Sequence, residues 1–288
     1  MTSTVSRDGL AGVLPPVFSD ARRAALRVST IPARSAATTG RAMQMFAAVL
    51  RYLVTDTISL RIPVGELLVQ AWSLFKVTAI PAVLMAIPFG AMVSVVTSGL
   101  VNQVGANALI GAASGVGVVR QGAPITAGLL MSGAAASTIA SDFGARAVRE
   151  ELDAMRVLGI DPVRRLVVPR FLALLLIAPI LITVIIVSGT TAAFILALTV
   201  TNIASGSYWM SFGTFAKLPD VWFAIGKTVV FAAIVAIVSA FRGMEAKGGP
   251  KGVADAVNAS VVINVILIVL ANLAITQLET MFFPLEIA

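Results

Sequence analysis

The chain has 288 residues, 58% of them hydrophobic and only 12% charged, with a mean hydropathy of +0.96. An ordinary soluble domain carries about 25% charged residues, so this composition is that of an integral membrane protein. The net charge of +7 fits cations gathered on one side of a membrane better than nucleic-acid binding, and the absence of cysteine and histidine excludes disulfides, thiol catalysis and Cys/His metal centres.

In chain order, residues 1–45 form a basic arm rich in Ala, Ser, Thr and Arg, broken at Pro15-Pro16 and Pro32. No apolar run of signal-peptide length follows its arginines closely, so the arm is expected to be mobile and cytoplasmic. Its arginines act as a topology determinant, with specific lipid or partner binding as the alternative. Residues 46–76 are expected to form interfacial helices: Phe46, Val49, Leu50 and Leu53 share a face, and Pro63 ends the first stretch. In the second, Glu66, Gln70 and Lys76 stay at the wet edge and Trp72 sits at headgroup depth.

Residues 77–280 form the membrane domain, and gaps between charges define its spans. Val77–Val119 contains 43 residues without a charge, enough for a first span at about 77–98 and an outer connector with Asn102, Gln103, Gly105, Asn107 and Gly111. Pro81, Pro88 and Gly90 are candidate kinks. The second span, Arg120–Ser141, is dominated by small residues from Gly128 to Ser137, which suits a helix buried in protein. Phe171–Val200 gives the third span, and 201–220 is expected to be an outer loop with Tyr208 and Trp209. The fourth span, about 221–241, must accommodate Lys227, by snorkelling or by touching a substrate headgroup. The fifth covers about 256–278, after a polar turn from Arg242 to Gly252.

Counting cations orients the chain. With the N-terminus in the cytoplasm, eighteen Lys and Arg lie inside and three, Arg120, Lys217 and Lys227, lie outside. Five spans then place the C-terminus outside.

Between the second and third spans lies an island of charge from Ser141 to Arg165. Read as a helix, it aligns Val148, Leu152 and Met155 on one stripe and supports itself with the i,i+4 pairs Asp142–Arg146, Arg146–Glu150 and Arg149–Asp153. Gly159 is a plausible stop, and Asp161-Pro162 reads as an N-cap with proline at the first helical position. A short polar helix joined directly to two spans suits a protein partner; the alternative is a solvated connector.

No Gly-x-x-x-x-Gly-Lys-Ser/Thr loop occurs, and Gly111–Gly117 lacks the lysine, so it reads as a flexible outer connector. No intramembrane series of Asp or Glu suggests a proton relay. Two readings remain: a permease subunit driven by a separate cytoplasmic motor docked on 142–162, or a passive channel or scaffold.

The segment Arg149-Glu150-Glu151-Leu152-Asp153-Ala154-Met155-Arg156-Val157-Leu158-Gly159-Ile160-Asp161-Pro162, with Arg165-Leu166-Val167-Val168-Pro169-Arg170 after it, resembles the signature of the MlaE/YrbE permease family. Gly248-Gly249-Pro250-Lys251-Gly252-Val253-Ala254-Asp255-Ala256-Val257-Asn258 is similar to that family's second cytoplasmic loop, with Ala254 in place of a usual glycine. Arg120-Gln121-Gly122-Ala123-Pro124 is similar to its Arg-Glu-Leu-Gly-Pro segment, with Gln121 replacing the acid. The likeness covers about 45–280, and the Glu-Glu-Leu-Asp-Ala-Met form most resembles the YrbE A-type subunits of actinobacterial Mce systems.

The resemblance implies an all-α permease of an ATP-driven ABC lipid transporter in the cell inner (plasma) membrane, with interfacial helices, five transmembrane helices and a cytoplasmic coupling helix between spans two and three. Its cargo would be a fatty acid, mycolic acid, sterol or phospholipid. Its partners would be a dimeric ABC ATPase carrying ATP and Mg, a second permease that is either identical or, as the A-type resemblance favours, of the B type, and Mce-domain proteins outside, with no cofactor in this chain and no nucleic acid. Arg146, Arg149, Glu150, Glu151, Asp153 and Arg156 are then expected to couple to the ATPase, with Gly159, Asp161 and Pro162 setting the turn between helices. Met92, Val96 and Leu100 would line a lipid cavity with Arg120 at its outer mouth.

Overall fold

A computed structural model of the protein describes residues 38–55, 64–103, 105, 109–201 and 203–282. The chain divides into two units, one up to Ala47 and one from Ala48 onward. Helix α1 covers 38–55. The others are α2 (Val64–Gln103), α3 (Ile110–Val148), α4 (Glu151–Val157), α5 (Val163–Val200), α6 (Ser205–Phe215), α7 (Leu218–Met244) and α8 (Gly249–Phe282). There is no strand among the described residues, and five helices (α2, α3, α5, α7 and α8) are long and apolar enough to cross a membrane.

Each helix extends beyond the span expected from the charge gaps, because polar flanks are helical too. α2 runs unbroken through Lys76, so 64–76 is not a separate interfacial helix but the first turns of the first span. Its 40 residues measure about 60 Å at 1.5 Å per residue, twice the hydrocarbon thickness. Pro81 and Pro88 lie inside it without interrupting it. The expected outer connector is corrected likewise: from Ile110 the chain is already α3, and Gly111–Gly117 is helix packed against protein. Part of the expected outer loop is also helical: in α6, Tyr208 is buried, and it clusters with Phe194, Trp209 and Phe212 at centroid distances of 5.1–6.2 Å.

α3 is the central helix. Two thirds of its most apolar window (67%) is buried, against 22% for α2 and α8, as its small residues require. Glycines allow two close approaches: a Cβ on Gly90 would lie 2.1 Å from the Gly189 carbonyl oxygen of α5, and one on Gly243 would lie 2.7 Å from the Ala140 carbonyl oxygen. One turn beyond Gly90, Ser94 Oγ donates to the Ala193 carbonyl at 3.1 Å, tying α2 to α5. Polar contacts hold α8: Asn264 Nδ2 donates to Ser239 Oγ at 2.9 Å, and Asn272 Nδ2 to Gln121 Oε1 at 3.4 Å. Such bonds, each about 1 kcal/mol, matter where the surroundings are as apolar as the side chains and the hydrophobic effect favours no particular contact.

Candidate coupling elbow and buried charge cluster

The island of charge is an elbow rather than one helix. α3 ends at Val148, where the Arg149 and Glu150 N–H groups reach back to the Ala145 and Ala147 carbonyls, and Glu150 takes a left-handed conformation at φ 58°. That conformation costs about 1–2 kcal/mol in a residue with a Cβ. The reversal brings Leu152 of α4 into a buried position, and burying a leucine contributes about 1.5–3 kcal/mol. The reversal breaks the expected Val148–Leu152–Met155 stripe: Leu152 is buried, whereas Val148 is exposed.

The break also changes the ion pairs. Asp142–Arg146 forms as expected, at 3.3 Å. Arg146 and Arg149 then both reach Glu151, at 3.5 and 2.9 Å, instead of Glu150 and Asp153, while Arg156 pairs with Asp153 at 2.7 Å. Asp142 also takes Arg170, whose guanidinium lies 4.6 Å from the centre of the Phe143 ring.

Gly159, Asp161 and Pro162 do set the turn. Gly159, at φ 73°, donates to the Arg156 carbonyl (3.0 Å) and Ile160 to that of Met155 (2.9 Å), the paired bonds that close a helix through a left-handed residue. Asp161 Oδ1 then accepts the Val163 N–H at 2.9 Å and caps α5, with Pro162 at its first position. Beside its exposed charges the elbow uncovers two apolar side chains: Val157 and Leu158 are 88% and 75% exposed.

The elbow is tied to the N-terminal helices. Tyr52 Oη donates to Asp161 Oδ2 at 2.6 Å, Arg164 lies 5.9 Å from the Tyr52 ring centre, and Arg165 reaches Glu66 at 3.8 Å. The bond to Asp161 raises the Tyr52 phenol above its ordinary pKa, with desolvation adding to the effect.

At the opposite end, Lys227 does not snorkel. It is fully buried, with Nζ 2.5 Å from Glu279 Oε2 and 3.1 Å from the Arg120 carbonyl oxygen. That carbonyl is available because its α-helical partner, residue 124, is a proline without an N–H. The segment Gly117–Gly122 is locally π-helical. Arg120 places NH2 2.7 Å from Asp220 Oδ1 and Nε 3.5 Å from Glu279 Oε1, and Asp220 Oδ2 accepts the Lys217 N–H at 3.0 Å, capping α7. Two cations thus face two carboxylates, all buried. Asp220 and Glu279, at the edges of the charge gaps, escape a reading that searches gaps for acids. Arg120–Pro124, and the two-turn spacing of Asp220 and Lys227, are the signals that point to the cluster.

Of the expected cavity residues, Met92, Val96 and Leu100 follow one exposed line on α2, and Arg120 is buried on α3 with its guanidinium engaged by Asp220.

Residues 67–278, almost three quarters of the chain, match the family model described as Permease MlaE. The chain belongs to the MlaE permease family. The MlaE match includes the whole elbow, Arg120, Asp220 and Lys227, and stops short of Tyr52 and Glu279. Among similar proteins, a probable ABC transporter permease of Synechocystis is 29% identical over 203 residues, 66% of this chain and 77% of the relative. One of Rickettsia typhi is 32% identical over 161 residues, 56% of this chain; the match spans 62% of that relative's length. An intermembrane phospholipid transport system permease protein, MlaE of Haemophilus influenzae, is 26% identical over 146 residues, 50% of this chain and 56% of its own.

Proposed function

We propose that this MlaE-family chain is the permease subunit of an ATP-driven lipid transporter, and that a cytoplasmic ABC ATPase docks on the 142–162 elbow. The observation that carries the reading is the elbow itself: a capped turn joined to two spans, with the pairs Arg149–Glu151 and Arg156–Asp153 beside the uncovered Val157 and Leu158. Two apolar side chains of this exposure fit a groove on a partner, and the paired charges around them set orientation. ATP and Mg belong to the ATPase, and its motion enters this chain through the elbow.

The name of the Haemophilus relative supports a lipid as cargo. Fatty acid, mycolic acid, sterol and phospholipid share the long apolar surface that Met92, Val96 and Leu100 would face in a cavity shared with a second permease. The Glu-Glu-Leu-Asp-Ala-Met sequence supports a YrbE A-type assignment, a B-type partner and Mce-domain proteins at the outer face. The excess of cations around the elbow and the N-terminal region supports a plasma-membrane protein with these parts in the cytoplasm and the C-terminus outside.

Reversing Glu150 and Glu151 to lysine is expected to uncouple ATP hydrolysis from transport without preventing membrane insertion. Wild-type stimulation of the ATPase by that double variant would remove the elbow from the docking surface. Val157→Asp with Leu158→Asp is expected to lower ATPase co-purification at least tenfold.

A further inference from the structure

Tyr52 lies in α1, about a hundred residues before the elbow, and the proposed docking gives it no role. Yet its hydroxyl meets the carboxylate that also caps α5: Asp161 Oδ1 holds the Val163 N–H at 2.9 Å while Oδ2 accepts from Tyr52 at 2.6 Å. A hydrogen bond to a charged acceptor is stronger than a neutral one, and a ring on a two-torsion stem fixes its direction at small entropic cost. The Arg164 guanidinium covers the ring, and Arg165 reaches Glu66 in the first turn of α2. Three consecutive features of the α5 start, its cap and its two arginines, are therefore held by the two helices that precede the second span. Farther along, α2 and α5 are locked by the Gly90–Gly189 approach and by Ser94 on the Ala193 carbonyl. On the other side of the elbow, the link to α3 passes through the single left-handed residue Glu150.

We infer that Tyr52 is a positioning residue that clamps the Asp161 side of the elbow to α1 and α2, so that a displacement of the elbow moves the first and third spans as one body and is taken up by rotation at Glu150. The functional part rests on the docking of an ATPase at the elbow; the clamp itself does not.

The chain has no cysteine, so two introduced ones report a distance cleanly. Val54 and Ile160, both exposed, are replaced by spin-labelled cysteines in the full-length permease. Distances are measured in nanodiscs of phosphatidylethanolamine and phosphatidylglycerol, for the permease alone and for its ATPase complex, nucleotide-free and vanadate-trapped. One narrow distance common to all states is expected. Tyr52→Phe, which keeps the ring and loses the donor, is expected to broaden that distribution and to lower ATP turnover of the assembled complex at least threefold. An unchanged distribution in Tyr52→Phe, or a wild-type distance that shifts on vanadate trapping, overturns the clamp. Broadening with unchanged turnover overturns its role in coupling. A wild-type permease that retains no ATPase contradicts the docking, while the permease-alone distances still decide the clamp.

Discussion

At the scale of single residues, the two ends of the bundle use charge in opposite ways. Around the elbow, pairs such as Arg156–Asp153 are exposed, and such pairs contribute about 0–1 kcal/mol each. Their use is to fix the shape that presents Val157 and Leu158. At the other end, Lys227 and Glu279 are buried, so loss of Lys227 leaves Arg120 alone facing two buried carboxylates, one negative charge in excess. Lys227→Met is expected to destabilise the protein by about 3–5 kcal/mol, read as a lower midpoint of thermal unfolding in detergent. Lys227→Met combined with Glu279→Gln is expected to recover most of that loss. A double variant no better than the single one would show that the cluster's worth lies in shape rather than charge balance. At the elbow, Glu150→Gly is expected to raise the midpoint slightly, because glycine enters the left-handed region without the cost of about 1–2 kcal/mol borne by glutamate. An unchanged or lower midpoint would mean that the left-handed turn carries no strain.

At the scale of elements, the small residues of the second span foretell a helix buried in protein, and α3 is that helix. The boundaries were less readable, because a charge marks where a side chain must reach water or a partner, not where a helix stops. Lys76, Arg120, Lys227 and Glu279 all lie inside helices that continue through them. The elbow shows the same limit: Gly159, Asp161 and Pro162 name their conformations from residue type alone, whereas Glu150 does not. No residue-type preference favours φ > 0 for glutamate, and only the burial of Leu152, a tertiary effect, explains it. Helix approach can be tested directly. Gly90→Ala, with a Cβ 2.1 Å from the Gly189 oxygen, is expected to lower the yield of folded protein severalfold by size-exclusion chromatography, whereas Gly226→Ala, with open space around it, is expected to be neutral. Equal yields would contradict the close α2–α5 crossing.

At the scale of the whole molecule, five spans, a polar elbow at one end and a compensated charge cluster at the other fit the proposed subunit that receives motion from a partner. In that proposal the nucleotide-binding loop, which this sequence does not contain, belongs to the ATPase. Val157 and Leu158 form an exposed apolar tip on the elbow, and this tip is where the proposed partner is expected. The most direct measurement is the mass of the particle extracted gently from native membranes through a tag on this chain, resolved by native mass spectrometry. A particle containing two copies of a Walker-motif ATPase and a second permease, and losing the ATPase in the Val157→Asp, Leu158→Asp variant, is the expected result. A particle containing this chain alone or only with itself would contradict the motor-driven reading and leave a passive channel or scaffold in its place.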